Sequence, residues 1–420
     1  MASFSFGAGN AAKLVRIPLY VAGRLVTALI PRSRDQWVYG SGVGIGDGAL
    51  ALWNEAAASH PSVWLVSDES EQQDAAARGI PTVRKHSVHG FWRTARARVA
   101  VVTHGFGDVN RYAVGGAFIV QLWHGVPLKR IGIDSPETVQ VPAPVRDSRL
   151  GRAARGLLRV LYRRTTRQID LLPAASHLVR GRLESAFSLP DAHVPVTGEP
   201  RVDVLSRGDV AGRRTAARER IASAVGDIGA ARLILYAPTW RDGGTDPTIP
   251  DRAAWERITA MLEARDAVLL VRAHPLSVGH FAPPTSTPRV RMLGGDVLAD
   301  VNCALSGLDV LVTDYSSILF DAALVPVPMV FLAPDVDEYT TRRGLYGTYA
   351  DVAGTDWART WEDAIAQLDA VLADEGERAR RADRARSLSA TVHAHTDGRN
   401  AARVHAEVVR RTAATGRGRR

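Results

Sequence analysis

The sequence predicts an α/β protein with two Rossmann-like halves facing each other across a cleft, and three observations predict it. From Gln36 onward, short apolar runs rich in β-branched residues alternate with helical stretches. The runs form two series of comparable size, joined by a polar link at 206–227 rich in Arg, Ala and Glu. At 420 residues the chain is also longer than one core usually supports, since single cores stop growing at roughly 250–300 residues.

Strands are expected at 37–39, 63–66, 98–102, 118–122, 171–174 and 193–196 in the first series, and at 233–236, 267–271, 290–293, 310–313 and 329–331 in the second. The chain is therefore read as an amphipathic, membrane-proximal segment 1–35, a first Rossmann-like domain 36–205, a second 206–410, and a disordered basic tail 411–420. Ligands of such sheets bind outside the carboxyl ends of the strands, so functional residues are expected just after strands.

Composition excludes a disordered or collagen-like chain, because 46% of residues are hydrophobic and 37 Gly with 22 Pro is ordinary usage. Cys303 is the one cysteine, so no internal disulfide and no thiolate metal site can form, and a reducing compartment fits. The formal net charge of +9 is carried by arginine, since lysine occurs only at Lys13, Lys85 and Lys129. Such a charge suits nucleic acid, acidic lipid or a phosphorylated substrate. With no zinc finger, RNP-like aromatic motif or basic run with interleaved aromatics, a specific nucleic-acid partner is not expected. Segment 11–30 is interrupted by Lys13, Arg16, Pro18 and Arg24, so it reads as an interfacial or core-packed helix rather than a membrane span.

The chemistry-bearing segments follow strands. In Gln121-Leu-Trp-His-Gly-Val-Pro-Leu-Lys-Arg130, a neutral His124 can take a proton from a hydroxyl, or be a core histidine beside Trp123. Gly125 permits close backbone approach to a ligand, and Lys129 with Arg130 suits phosphate. In Tyr236-Ala-Pro-Thr-Trp-Arg-Asp242, Thr239 and Arg241 can bond an anion or simply form a polar turn. His274 follows another strand, which Pro275 stops.

The segment Asp309-Val-Leu-Val-Thr-Asp-Tyr-Ser-Ser-Ile-Leu-Phe-Asp321 ends a buried strand at Thr313 and Asp314 and puts Ser316 and Ser317 at a helix start. Free N–H groups and two hydroxyls there make a phosphate site without lysine or metal, although an ordinary N-cap uses the same residues. Glu338 and Arg343 lie in a polar loop able to hold a hydroxyl or a phosphate, or serving only as surface. The glycine run 40–48 lacks P-loop spacing and reads as a flexible turn or an acceptor-side contact. No acidic metal cluster is evident, so neither a metal nor a cofactor is expected.

Taken in order, Trp123-His-Gly-Val-Pro-Leu-Lys129, Gly198-Glu-Pro-Arg-Val-Asp203, Tyr236-Ala-Pro-Thr-Trp-Arg241, His274-Pro275, Thr313-Asp-Tyr-Ser-Ser317 with Asp321, and Arg343-Gly-Leu-Tyr346 resemble the CDP-glycerol glycerophosphotransferases. These are the primases and polymerases of wall teichoic acid and related capsule-like polymers. The resemblance implies a GT-B-like fold, a CDP-polyol donor on the second domain, an acceptor on the first, and peripheral attachment to the cytoplasmic face of the membrane. It makes His124 the catalytic base and His274 a ligand of the donor diphosphate. It sets Thr239, Arg241, Thr313, Asp314, Ser316, Ser317, Glu338 and Arg343 on the donor side, with Gly125 and Lys129 on the acceptor side.

The implied reaction moves a polyol phosphate onto a lipid-linked saccharide or growing polymer and releases CMP. A nucleotide-sugar glycosyltransferase of the same fold, acting in cell-envelope polysaccharide synthesis, is the alternative. A basic amphipathic helix at 146–167 fits the anionic membrane surface: Arg152, Arg155, Arg159 and Arg163 recur at steps of three and four, and Leu157, Leu158 and Leu161 supply an apolar side. A solvated or RNA-binding face is the competing reading of that helix.

Overall fold

Among the described residues, ten short strands, half of them wholly buried, assemble into two all-parallel five-stranded sheets. The computed structural model describes residues 17–141, 147–241, 246–274, 277 and 280–417. The chain divides into two units: one holds the described residues up to His124, Arg130–Asp203 and those from Arg399 on, the other Gly125–Lys129 and Val204–Gly398.

In the first unit β1 (Trp37–Tyr39), β2 (Ser62–Val66), β3 (Thr82–Arg84), β4 (Val99–Val102) and β5 (Phe118–Gln121) lie in the order β3-β2-β1-β4-β5. Central strands covered on both faces read as continuous apolar runs, as β1 and β4 do. β3 escapes sequence reading because it is a half-exposed edge strand of three residues. Residues 171–174 and 193–196 contribute only isolated parallel bridges, Val120 to Leu171 and Ala174 to Val196, rather than strands. Pro173 and Pro195 lack the N–H groups a full ladder needs.

Trp37, Tyr39, Trp64 and Leu52 form the core of this unit together with Val404 and Val408 of the helix Asn400–Arg417. The last helix therefore belongs to the first unit, which corrects the 206–410 boundary. Asp203 fixes its start, accepting from the Asn400 and Ala401 N–H groups at 2.9 and 2.8 Å. The helix continues to Arg417, past the Arg410 limit expected from composition, and Arg411 anchors that stretch by donating to the Asp170 carbonyl at 3.0 Å. Residues 418–420 of the expected tail, and 1–16 of the N-terminal segment, lie outside the described residues.

In the second unit β6 (Arg232–Ala237), β7 (Ala267–Val271), β8 (Val290–Met292), β9 (Val310–Thr313) and β10 (Met329–Phe331) lie in the order β10-β9-β6-β7-β8. Each sheet thus has its first strand in the middle, flanked by its second and fourth. The carboxyl ends of β1 with β4, and of β6 with β9, are the points where strand order reverses and where such sheets bind ligands. The supposed link at 206–227 is mostly the helix Val210–Val225, capped by Asp209 and held to the sheet by Arg214, which donates to Asp309 at 2.8 Å. Buried Ala217 and Ile221 give it a packing face, so it is part of the second unit rather than a linker.

Candidate active site

In the first unit β4 runs into Thr103-His104 and β5 into Leu122-Trp123-His124. The two imidazoles stack with centroids 4.3 Å apart and planes within 3°. The His124 ring also lies 4.1 Å from the Trp123 ring, and its Nδ1 is buried without a hydrogen bond among the described residues. Trp123 at φ +61° and Gly125 at φ +133° turn the chain sharply on either side of the histidine; glycine suits the second position. Desolvation first, then the nearby His104 and Arg201, push the His124 pKa well below its ordinary value. The ring is therefore neutral at neutral pH, the form that accepts a proton.

His104 escaped sequence reasoning, although it carries the same signal as the other two: a histidine directly after a buried strand. Asp108 Oδ2 accepts from the Thr103, His104 and Gly105 N–H groups at 2.9, 2.7 and 3.2 Å. Thr103 Oγ1 lies 2.9 Å from His104 Nδ1 and donates to Ser41 Oγ at 3.1 Å. A Cβ at Gly40 would fall 2.1 Å from the Asp108 carbonyl oxygen, and one at Gly42 2.5 Å from the His104 ring. Gly40 and Gly42 thus lie close against these residues, where a flexible turn is the expectation.

In the second unit Arg241, expected to bond an anion, is paired with carboxylates of the chain itself. It donates to Asp314 at 2.9 Å and, through two nitrogens, to Asp335 at 2.7 and 3.0 Å. Its guanidinium lies 5.0 Å from the ring centroids of both Tyr315 and Tyr339. Desolvation opposes the charge, but the two carboxylates overcome it and raise the arginine's pKa. Asp314 is buried and also accepts from the Thr239 and Tyr315 N–H groups at 2.9 and 2.5 Å. Burial raises its pKa, against the pull of Arg241 and Lys129. Thr313 Oγ1 donates to the Ala237 carbonyl at 2.7 Å, tying β9 to β6. These four groups hold the strand ends together, while Thr239 Oγ1 is buried with no hydrogen bond among the described residues.

His274, after β7, stacks on Trp240 with centroids 5.8 Å apart, and the Arg343 guanidinium lies 5.3 Å from the same indole. Desolvation, then Lys129 and Arg272, lower the His274 pKa to about 4. Lys129 and Gly125 belong to this second unit, not to the first as expected. Lys129 forms an antiparallel bridge with Leu345, and Leu128 accepts from the Tyr346 N–H at 2.9 Å. Positive charge thus gathers about a neutral ring, an arrangement that favours an anion.

The polar loop expected around Glu338 is the helix Val336–Arg343, with Glu338 exposed and Arg343 its last residue. Ser317 precedes the helix Ile318–Ala323 with helical dihedrals and, among the described residues, makes no capping hydrogen bond, so an ordinary side-chain cap does not explain it. Ser316 Oγ accepts from the Ile318 N–H at 3.5 Å. Pro275 lies outside the described residues.

The expected basic helix is observed as Arg149–Thr166, with Arg146 outside the described residues. Arg152, Arg159 and Arg163 are exposed and Arg155 is half-buried. Its apolar side splits: Leu158 and Leu161 turn partly inward, while Leu150, Leu157 and Val160 are exposed. The helix Ile17–Leu29 also exposes Leu19, Val21, Leu25, Val26 and Leu29. Among the described residues no helix is long and apolar enough to cross a membrane, and no three His, Cys, Asp or Glu side chains gather as a metal site.

Residues 32–410 match the family described as CDP-glycerol:poly(glycerophosphate) glycerophosphotransferase. The teichoic acid glycerol-phosphate transferase of Staphylococcus aureus is 25% identical over 353 residues, covering 80% of this chain and 83% of that protein. The teichoic acid glycerol-phosphate primase of Bacillus subtilis is 24% identical over 234 residues, covering 55% of this chain and 54% of that protein. The solved structure of the wall teichoic acid polymerase TagF superposes with a TM-score of 0.73 at 18% identity, covering 97% of both chains, which shows a shared fold. With the two Rossmann-like sheets and the ordered strand-end motifs, the match across nearly the whole chain makes this protein a transferase of the CDP-glycerol glycerophosphotransferase family.

Proposed function

We propose that the protein transfers glycerol phosphate, or a related polyol phosphate, from a CDP-activated donor to a hydroxyl of a lipid-linked saccharide or growing teichoic acid-like polymer. The observation that carries this reading is the neutral, strand-end His124 in a chain of this family. The acceptor oxygen attacks the β-phosphorus, the bond from that phosphorus to CMP breaks, and CMP leaves with the electron pair. His124 takes the proton lost by the hydroxyl. In the second unit His274, beside Trp240 and Arg343, binds the donor diphosphate, with Thr239 Oγ1, Ser316 and Ser317 as further donors.

Work takes place on the cytoplasmic face of the membrane. The exposed leucines and valines of Ile17–Leu29 and Arg149–Thr166 support this reading, with the arginines of the second helix meeting anionic headgroups. The test is CMP release from CDP-glycerol by purified protein with a membrane extract as acceptor source, run beside CDP-ribitol, UDP-glucose and GDP-mannose. Acceptor-dependent CMP release is expected. Release of UDP or GDP instead, with the CDP-polyols silent, assigns the protein to nucleotide-sugar transfer.

A further inference from the structure

A base histidine needs its ring held in one orientation, commonly by a hydrogen bond from the far nitrogen to a carboxylate or a backbone carbonyl. Among the described residues no carboxylate does this for His124, whose Nδ1 is buried without a hydrogen bond. What holds the ring is a hydrogen bond to the Thr103 backbone and stacking, with His104 parallel at 4.3 Å and Trp123 at 4.1 Å. His104 in turn is fixed by backbone donation to Asp108, by Thr103 Oγ1 at its own Nδ1, and by Gly42, whose missing side chain leaves room for the ring.

We propose that His104 is a positioning residue for the transfer reaction, a neutral platform that aligns the His124 ring and sets its basicity. The inference rests on the reading of His124 as the base. A stacked neutral imidazole supports the flat ring while adding no competing acid. Once both rings carry protons they repel, so the pair accepts one proton readily and a second with difficulty. The charged groups acting on the pair are Arg201, which lowers the affinity of both rings for protons, and Asp108 and Asp47, which raise that of His104. Arg201 and Asp47 are themselves paired at 3.0 Å.

The test compares the pH profiles of CMP release by the wild type, His104→Ala, His104→Phe and His124→Ala, with CDP-glycerol affinity and thermal melting measured on each. His104→Ala should lose at least about tenfold in kcat, a modest part of what a general base contributes, with donor affinity unchanged. His104→Phe restores a flat partner and should recover part of that loss. In both, the acidic limb of the profile should move to higher pH, because removing His104 lets His124 bind a proton more easily. Wild-type kcat in His104→Ala, or a fall in kcat with an unmoved limb in both folded variants, overturns the proposal. Turnover surviving in His124→Ala instead removes the base reading itself, so the two failures are distinguishable.

Discussion

The two sheets share one strand order, yet the chemistry at and beside their reversal points is opposite in kind. At the ends of β4 and β5 in the first unit, two histidines stack with lowered pKa values, and the hydrogen bonds around them run through backbone N–H groups, hydroxyls and Asp108. At the ends of β6 and β9 in the second unit, Arg241 is fixed between Asp314 and Asp335 and the tyrosine rings of Tyr315 and Tyr339. The same topology therefore supports a site whose key ring stays neutral and a site whose key charges are already satisfied by one another. Strand order locates a site but does not determine its chemistry, which comes from the few residues following each strand.

The largest effect separating the two regions is expected at Arg241. Arg241→Ala strands the buried Asp314 carboxylate, and breaking such a pair costs about 3–5 kcal/mol. Chemical denaturation should show that loss, and a variant within experimental error of the wild type contradicts the strut role. Gly42→Ala comes next, because the added methyl meets the His104 ring at 2.5 Å. Overpacking of this kind costs roughly 1–3 kcal/mol, and kcat should fall with the stacked pair disturbed. Asp203→Ala removes the cap of Asn400–Arg417 and should cost about 0.5–2 kcal/mol, detected as a lower melting temperature.

A pH titration sharpens the same comparison. His104, His124 and His274 all have folded-state pKa values below that of the unfolded chain. As pH falls through about 6.5, the unfolded chain takes up protons that the folded protein refuses, so stability declines. For His274 the decline continues down to about 4. Denaturant midpoints that stay level from neutral pH into this range contradict the shifts. The smallest effect belongs to the surface: replacing Arg159 or Arg163 with Gln should each weaken binding to anionic vesicles by about 1 kcal/mol, read by flotation, with no change on neutral vesicles.

Much of this was legible in the sequence because both sheets are built from continuous apolar runs, which mark buried parallel strands directly. The exceptions have physical causes. Edge strand β3 is short and half-exposed, Pro173 and Pro195 reduce two expected strands to bridges, and Val404 with Val408 sends the last helix to the first unit through long-range packing that local pattern does not encode. His124 and His274 stand out in the sequence by their position just after a buried strand, and His104 shares that position. The pairing of Arg241 with Asp314 is set by the adjacency of β6 and β9, which lie far apart in sequence. Lys129 follows His124 closely in sequence, yet its backbone pairs with Leu345 and places it in the second unit, a long-range pairing that local pattern does not encode.

The central claim is that His124 receives the acceptor's proton. Its most direct test is CMP release from CDP-glycerol by His124→Ala, with donor affinity measured on the same preparation. Turnover should fall by about 10²–10⁴-fold, the usual contribution of a general base, while CDP-glycerol binds as it does to the wild type. A folded variant that turns over at the wild-type rate contradicts the account.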